Sequence, residues 1–335
     1  MTRALPFTAP WLLAPMEGVT EPCFRDLVLA RNAPESLGGA FTEFVRVSGA
    51  PIPRAVAARH LGPSRFAQPV GVQLMGSDLA HLARTADNAV AAGAPLVDLN
   101  FGCPSKRAVA GCAGSSLLRD PAALESIVRA VTDAVDVPVT AKIRAGYDDA
   151  SRVEELARAV EQGGAALLTV HCRTRAEGYC AEVDWTRIAR AVRAVSIPVC
   201  GNGGISSNAE LERMRRETGA RFAMVGRGAL ADPWIFSGRR VSRAESAGFL
   251  VDYADAMRAR AGLAPRAVAA RIKQLLRHWT AGDLIRGEAE RASLLREQDP
   301  AALLGGLEAA AQCGRGPSST QRTPPVSISA THALQ

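Results

Sequence analysis

The sequence predicts an α/β fold: a (β/α)8 TIM barrel followed by an all-helical C-terminal domain. Three observations carry this reading. Eight short, β-rich apolar runs recur between residues 11 and 226, each followed by a longer segment with helical spacing, as in parallel βαβ units. Eight such units suggest closure into a barrel. Beyond residue 245 the strand signal stops and Ala, Leu and Arg dominate. An open doubly wound sheet is the alternative, but "APMEGV" stands where its G-x-G-x-x-G fingerprint would follow the first strand.

The predicted strands are residues 11–14, 40–44, 70–75, 96–100, 137–143, 166–171, 197–202 and 222–226. Between them, a helix over 77–92 has Ser77 and Asp78 as caps, and one over 120–134 has Asp120 ahead of Pro121, where proline is tolerated. These elements define a catalytic domain over 1–240. A helical domain follows over 245–310, and its clearest helix is "RAVAARIKQLLRHW" (266–279). There Ile272, Leu275, Leu276 and Trp279 form one apolar stripe, while Arg266, Lys273 and Arg277 share another side. Residues 314–335, rich in Ser, Thr and Pro, are expected to be a disordered tail.

Composition narrows the function. The 335 residues are 47% hydrophobic and 22% charged, as in an ordinary globular protein. A net charge of +7 tilts the chain toward polyanions. Positive charge is almost all arginine, so the three lysines, Lys106, Lys142 and Lys273, invite a chemical explanation. Seven cysteines without a C-x-x-C pair give neither a disulfide framework nor zinc spacing, which fits a reducing cytosol. Pro6, Pro10 and Pro15 interrupt the N-terminal apolar stretch, and no segment approaches the ~20 apolar residues of a membrane span. A cytoplasmic protein with no membrane partner is expected.

In such a barrel the active site lies at the C-terminal strand ends. Those ends carry Pro15, Met16 and Glu17, then Glu43, Gln73, Asn100 with Cys103, Lys142 with Arg144, His171 with Arg173, Asn202 with Gly203 and Gly204, and Gly226 with Arg227. "GNGGI" and "GRG" are turns where backbone N–H groups and the following helix starts would meet a phosphate, with Arg227 beside it. Lys142, inside an apolar strand, requires an anion or acceptor. An anionic planar cofactor such as a reduced flavin meets that need, with Gln73 and His171 at its polar edge. Taken singly, Gln73 also reads as a strand cap, His171 as a core histidine, and the glycines as plain turns.

Eight segments, "APMEGVT", "TEFVRV", "VQLMGS", "LNFGCPSK", "AKIRAGY", "VHCRTR", "GNGGI" and "VGRGAL", resemble the tRNA-dihydrouridine synthases in order and spacing. "TEFVRV" and "ARIKQLL" are most similar to the bacterial C-type subfamily, which acts on uridine 16 of the D-loop. The resemblance implies an FMN enzyme, reduced by NADPH, that saturates the C5–C6 bond of a tRNA uridine. It implies that Cys103 donates a proton to C5. Pro15, Met16, Glu17, Gln73, Lys142, His171, Asn202, Gly203, Gly204, Gly226 and Arg227 would hold FMN. Asn100, Lys106, Arg144, Arg173, Arg271, Lys273 and Arg277 would contact the uracil or the tRNA, and a monomer is expected. One departure is Ala108-Val109, where the family usually has Val-Asn.

The cysteine then has a reason for its place. Hydride addition at C6 pushes charge to C5 and O4, and collapse to product needs a positioned proton source. A thiol, with an ordinary pKa of ~8.5, still carries its proton near neutrality. Two other readings share parts of the pattern: a flavin barrel acting on free dihydropyrimidine or dihydroorotate, and a non-catalytic tRNA-binding protein.

Overall fold

The computed structural model describes residues 3–63, 66–105, 112–179 and 182–313. Nine strand segments form its centre: β1 (Trp11–Leu13), β2 (Gly39–Phe41), β3 (Val45–Arg46), β4 (Val70–Met75), β5 (Val97–Phe101), β6 (Val139–Arg144), β7 (Leu167–His171), β8 (Val199–Asn202) and β9 (Phe222–Val225). They run in the order β2-β1-β9-β8-β7-β6-β5-β4-β3, and a further β2–β4 pairing closes the ring. Every pairing is parallel. Because β2 and β3 both pair with β4, they share one strand position, and the ring is the expected eight-position barrel.

The predicted strand 40–44 is broken in two, and side chains explain the break. Between β2 and β3, the Gln73 N–H donates to Thr42 Oγ1 (3.1 Å) where a ladder would offer a carbonyl, and Thr42 Oγ1 donates to the Glu43 carbonyl (2.7 Å). The predicted helix starts are observed. Asp78 accepts from the His81 N–H (2.8 Å) ahead of Leu79–Ala91, and Asp120 from the Ala123 N–H (3.1 Å) ahead of Pro121–Ala134.

Side chains alternate along a strand, so every second residue faces the barrel axis. The two ends of that interior differ. Toward the N-terminal strand ends lie Leu12, Phe41, Leu167, Phe222 and Met224, and Phe7 packs edge-on against Phe41 (6.0 Å) and Phe222 (5.6 Å). Toward the C-terminal ends lie Gln73, Asp98, Thr140, Lys142, Thr169, His171 and Asn202, a polar set supplied by β4 to β8.

From residue 243 the described chain is helical: Arg243–Ala261, Pro265–Leu276, Glu288–Arg296 and Pro300–Gln312. The stripe of Ile272, Leu275, Leu276 and Trp279 is buried as expected. These helices pack onto the helix Pro22–Arg31 through Phe24, which meets Phe249 (6.0 Å) and Tyr253 (5.8 Å). Polar ties reinforce the contact: Tyr253 Oη donates to Glu21 (3.0 Å), and Arg260 pairs with Asp26 (2.9 Å). The expected tail, 314–335, lies outside the described residues. Among those described, no helix is long and apolar enough to cross a membrane.

Candidate active site

Parallel register brings the strand-end residues together. Asn100 on β5 lies beside Lys142 on β6, Arg144 beside His171 on β7, and His171 beside Asn202 on β8. Cys103 sits three residues past Asn100, half-buried, and both its backbone groups are held. Asn100 Oδ1 accepts from the N–H groups of Gly102 (3.0 Å) and Cys103 (2.9 Å), and the Cys103 carbonyl accepts from the Ser115 N–H (3.1 Å). Its sulfur lies 3.4 Å from Ser105 Oγ and packs beside Met75 and Ala113.

Lys142 is where the site's electrostatics can be tested. Its ammonium makes no hydrogen bond or ion pair among the described residues. Burial, with Arg144 adding to it and the Asp98 carboxylate opposing, brings its pKa down to about 8. A cation held without a partner at a barrel mouth fits an anionic ligand edge. His171 has the complementary property. Burial and the charges of Lys142, Arg144 and Arg173 push it well below the ordinary histidine range, so it is neutral. Its Nδ1 accepts from the Arg173 N–H (3.2 Å), which leaves the proton on Nε2 as a neutral donor.

The glycine turns behave unequally. Gly203 (φ +105°) and Gly204 (φ +74°) need their backbone freedom, and a Cβ at Gly203 would lie 2.8 Å from Cys172 Sγ and 3.2 Å from His171 Nε2. The helix after them, Asn208–Thr218, carries a capping box at its N-terminus. Glu210 accepts from the N–H groups of Ser206 (2.6 Å) and Ser207 (3.1 Å), closing that end with a carboxylate. The turn at Gly226 and Arg227 has no side-chain cap hydrogen bond. Next to it, where β1 pairs with β9, Met16 and half-buried Pro15 sit in a turn held by Thr20, whose Oγ1 accepts from the Met16 N–H (2.8 Å), and by Glu43, which accepts from the Val19 N–H (3.1 Å). Glu17 in that turn is exposed.

Other expected residues are placed differently. Gln73 is fully buried, with both ends of its amide bonded to protein. Arg144 spends its guanidinium on the carbonyls of Gly102, Thr174 and Gly178 (2.9 Å each), bracing the loop of Cys103 against the loop after β7. Arg173 is buried beside His171. Arg271 donates to the Gly18 carbonyl and Lys273 to the Glu297 carbonyl, whereas Arg266 and Arg277 are exposed. Lys106 and Ala108-Val109 lie outside the described residues. Sequence reasoning missed two residues. Tyr179, 60% exposed, has Arg144 and Arg227 near its ring (5.1 and 4.9 Å) and His171 at 6.3 Å. Asp98, fully enclosed, lies beneath Gln73.

The thiol at 103 is held through its main chain, and its hydrogen-bond neighbour among the described residues is a hydroxyl and not a base that would turn it into a nucleophile. Together with a cation and a neutral donor at the mouth, this set has the chemistry that a cofactor-dependent oxidoreductase on a TIM barrel requires. Comparison with known proteins makes the class particular. Residues 12–281 match the family model described as Dihydrouridine synthase (Dus), and the chain belongs to that family. It is similar to a tRNA-dihydrouridine(16) synthase of Cupriavidus necator, 41% identical over 231 residues, covering 67% of this chain and 71% of the relative. A tRNA-dihydrouridine synthase B of Pseudomonas aeruginosa is 41% identical over 239 residues, covering 70% and 71%. A tRNA-dihydrouridine(16) synthase of Aquipseudomonas alcaligenes is 37% identical over 286 residues, covering 79% and 88%. The family is flavin-dependent, and the chain is an oxidoreductase acting on tRNA uridine.

Proposed function

We propose that this protein converts uridine 16 of tRNA to 5,6-dihydrouridine with FMN as its flavin and NADPH as the reductant. The observation that carries this reading is the combination of an anchored, half-buried Cys103 with an ammonium, Lys142, that makes no hydrogen bond or ion pair among the described residues. When bound, the flavin supplies the hydride that C6 of the uracil receives. Cys103 holds the proton for C5, on a backbone fixed by Asn100 and Ser115. Lys142 and the Nε2–H of His171 would face the anionic edge of the ring, Gly226 and Arg227 its phosphate, and Met16 its rim. Asn202, which bonds the Met224 carbonyl (2.8 Å), would support that side. Position 16 is favoured because two of the three relatives above are named for it.

The base must leave a structured tRNA elbow, at an unstacking cost of a few kcal/mol. Exposed Arg266 and Arg277 on the helix Pro265–Leu276 would offset that cost through backbone phosphates. Arg271, tied to Gly18, instead joins this helix to the cofactor turn. The protein is expected to act as a cytoplasmic monomer. The test is to incubate the purified protein with NADPH and tRNA lacking dihydrouridine, then map the modification. Dihydrouridine at position 16 is the expected product; turnover of free pyrimidines with none on tRNA would refute the reading.

A further inference from the structure

Four hydrogen bonds converge on Asp98, three of them in series from Cys103 and one from Thr140 on the other side. Thr140 Oγ1 donates to Asp98 Oδ1 (2.5 Å), and Gln73 Nε2 donates to Asp98 Oδ2 (2.6 Å). Asn100 Nδ2 donates to Gln73 Oε1 (2.7 Å), and Asn100 Oδ1 accepts from the Cys103 N–H (2.9 Å). An amide can be reversed end for end, so its orientation depends on its neighbours. Here both termini of the series admit only one sense. The backbone N–H groups of Gly102 and Cys103 are obligate donors, which turns the oxygen of Asn100 toward them. The carboxylate of Asp98 is an acceptor, which turns the nitrogen of Gln73 toward it. The two constraints agree, and no amide between them is left with a choice.

We infer that Asp98 is a positioning residue: by fixing the sense of Gln73 and then Asn100, it sets the main-chain position from which Cys103 reaches the uracil. Asp98 reaches Cys103 through this series, and it also acts by charge on Lys142, an effect that Asp98→Ala and Asp98→Asn remove alike. The inference rests on the proposed acid role of Cys103. Burial works against the carboxylate, raising its pKa to about 6 despite bonds from Thr140 and Gln73 and the charge of Lys142. A fully enclosed acid with such a cost is hard to account for as packing alone.

The test compares Asp98→Ala with Asp98→Asn in the holoenzyme at about pH 7, between the values of about 6 for Asp98 and about 8 for Lys142, where the carboxylate is ionised and the ammonium keeps its proton. Asparagine can still present an oxygen to Gln73 and its nitrogen to Thr140, whereas alanine removes the acceptor. Asp98→Ala is expected to slow the reoxidation of reduced enzyme by tRNA by about a hundredfold, the scale of a small misplacement of a reacting group. Its reduction by NADPH should change by less than about threefold, and Asp98→Asn should recover most of the lost rate. A second readout is independent of turnover: alkylation of Cys103 by iodoacetamide, resolved by mass spectrometry from exposed Cys112 and Cys313. Asp98→Ala should accelerate it severalfold and Asp98→Asn should not. If alanine and asparagine behave alike, if both half-reactions fall together, or if Cys103 alkylates at the wild-type rate in Asp98→Ala, the inference is wrong. Should Asp98→Ala fail to fold, Gln73→Leu carries the same alkylation test, since it removes the next acceptor in the series. Failure of the proposed function looks different, because the wild-type enzyme itself would then not be reoxidised by tRNA.

Discussion

The two ends of the barrel are made from the same strands yet built on opposite principles. At the N-terminal end, aromatic and aliphatic side chains fill the interior around Phe7, and no polar atom needs a partner there. At the C-terminal end, carboxylate, amide, imidazole and ammonium groups are enclosed, most in directional hydrogen bonds, with the ammonium of Lys142 left over. The first end stabilises without specifying an orientation, since apolar contact has no direction. The second costs desolvation and gains geometry. The contrast shows where folding energy and chemical purpose are separated in this molecule.

Substitutions at either end can break that contrast. The largest effect is expected for Cys103→Ala: a loss of roughly a hundredfold or more in tRNA-dependent reoxidation, the usual weight of a general acid, with flavin binding intact. Stopped-flow measurement of the two half-reactions checks this; an unchanged oxidative half-reaction would remove Cys103 from the acid role. Lys142→Met comes next. Losing a charged contact worth about 1.5–3 kcal/mol should weaken flavin retention, read by titrating flavin into apoprotein. If that variant purifies with full flavin, the ammonium is not the cofactor's partner.

Phe7→Ala addresses the other end. About 2 kcal/mol of stability should be lost in denaturant unfolding, below the value for a fully buried ring because Phe7 is only half-buried. Turnover per folded molecule should be unchanged, and a matching fall in turnover would mean the two ends are not separate. The smallest effect concerns acid. His171 has a folded-state pKa below its ordinary 6.5, so its contribution is complete above that value and is lost as pH falls beneath it. His171→Gln should flatten the acid limb of the stability curve and leave the neutral plateau nearly in place.

Legibility in the sequence followed the same division. Strand and helix periodicity, caps at Asp78 and Asp120, and the stripe ending at Trp279 are local signals, and the structure carries most of them: strand 40–44 is interrupted, and the helix stops at Leu276, short of the buried Trp279. The residues gathered at the strand ends, Asn100, Lys142, His171 and Asn202, were legible once a barrel was assumed, because parallel register aligns strand ends. What escaped was partner choice. Nothing local marks Asp98 as the acceptor beneath Gln73, since that depends on register between β4 and β5. Tyr179 sits in a loop whose path over the mouth no spacing encodes. Arg271 and Lys273 look like surface cations on the helix, and only tertiary contact with Gly18 and Glu297 shows otherwise.

The aromatic floor around Phe7 has one more consequence. It makes the barrel a cup, not a tube, so nothing that settles on the ring-binding side can exit underneath. A ligand seated over the polar end must therefore enter and leave by the mouth.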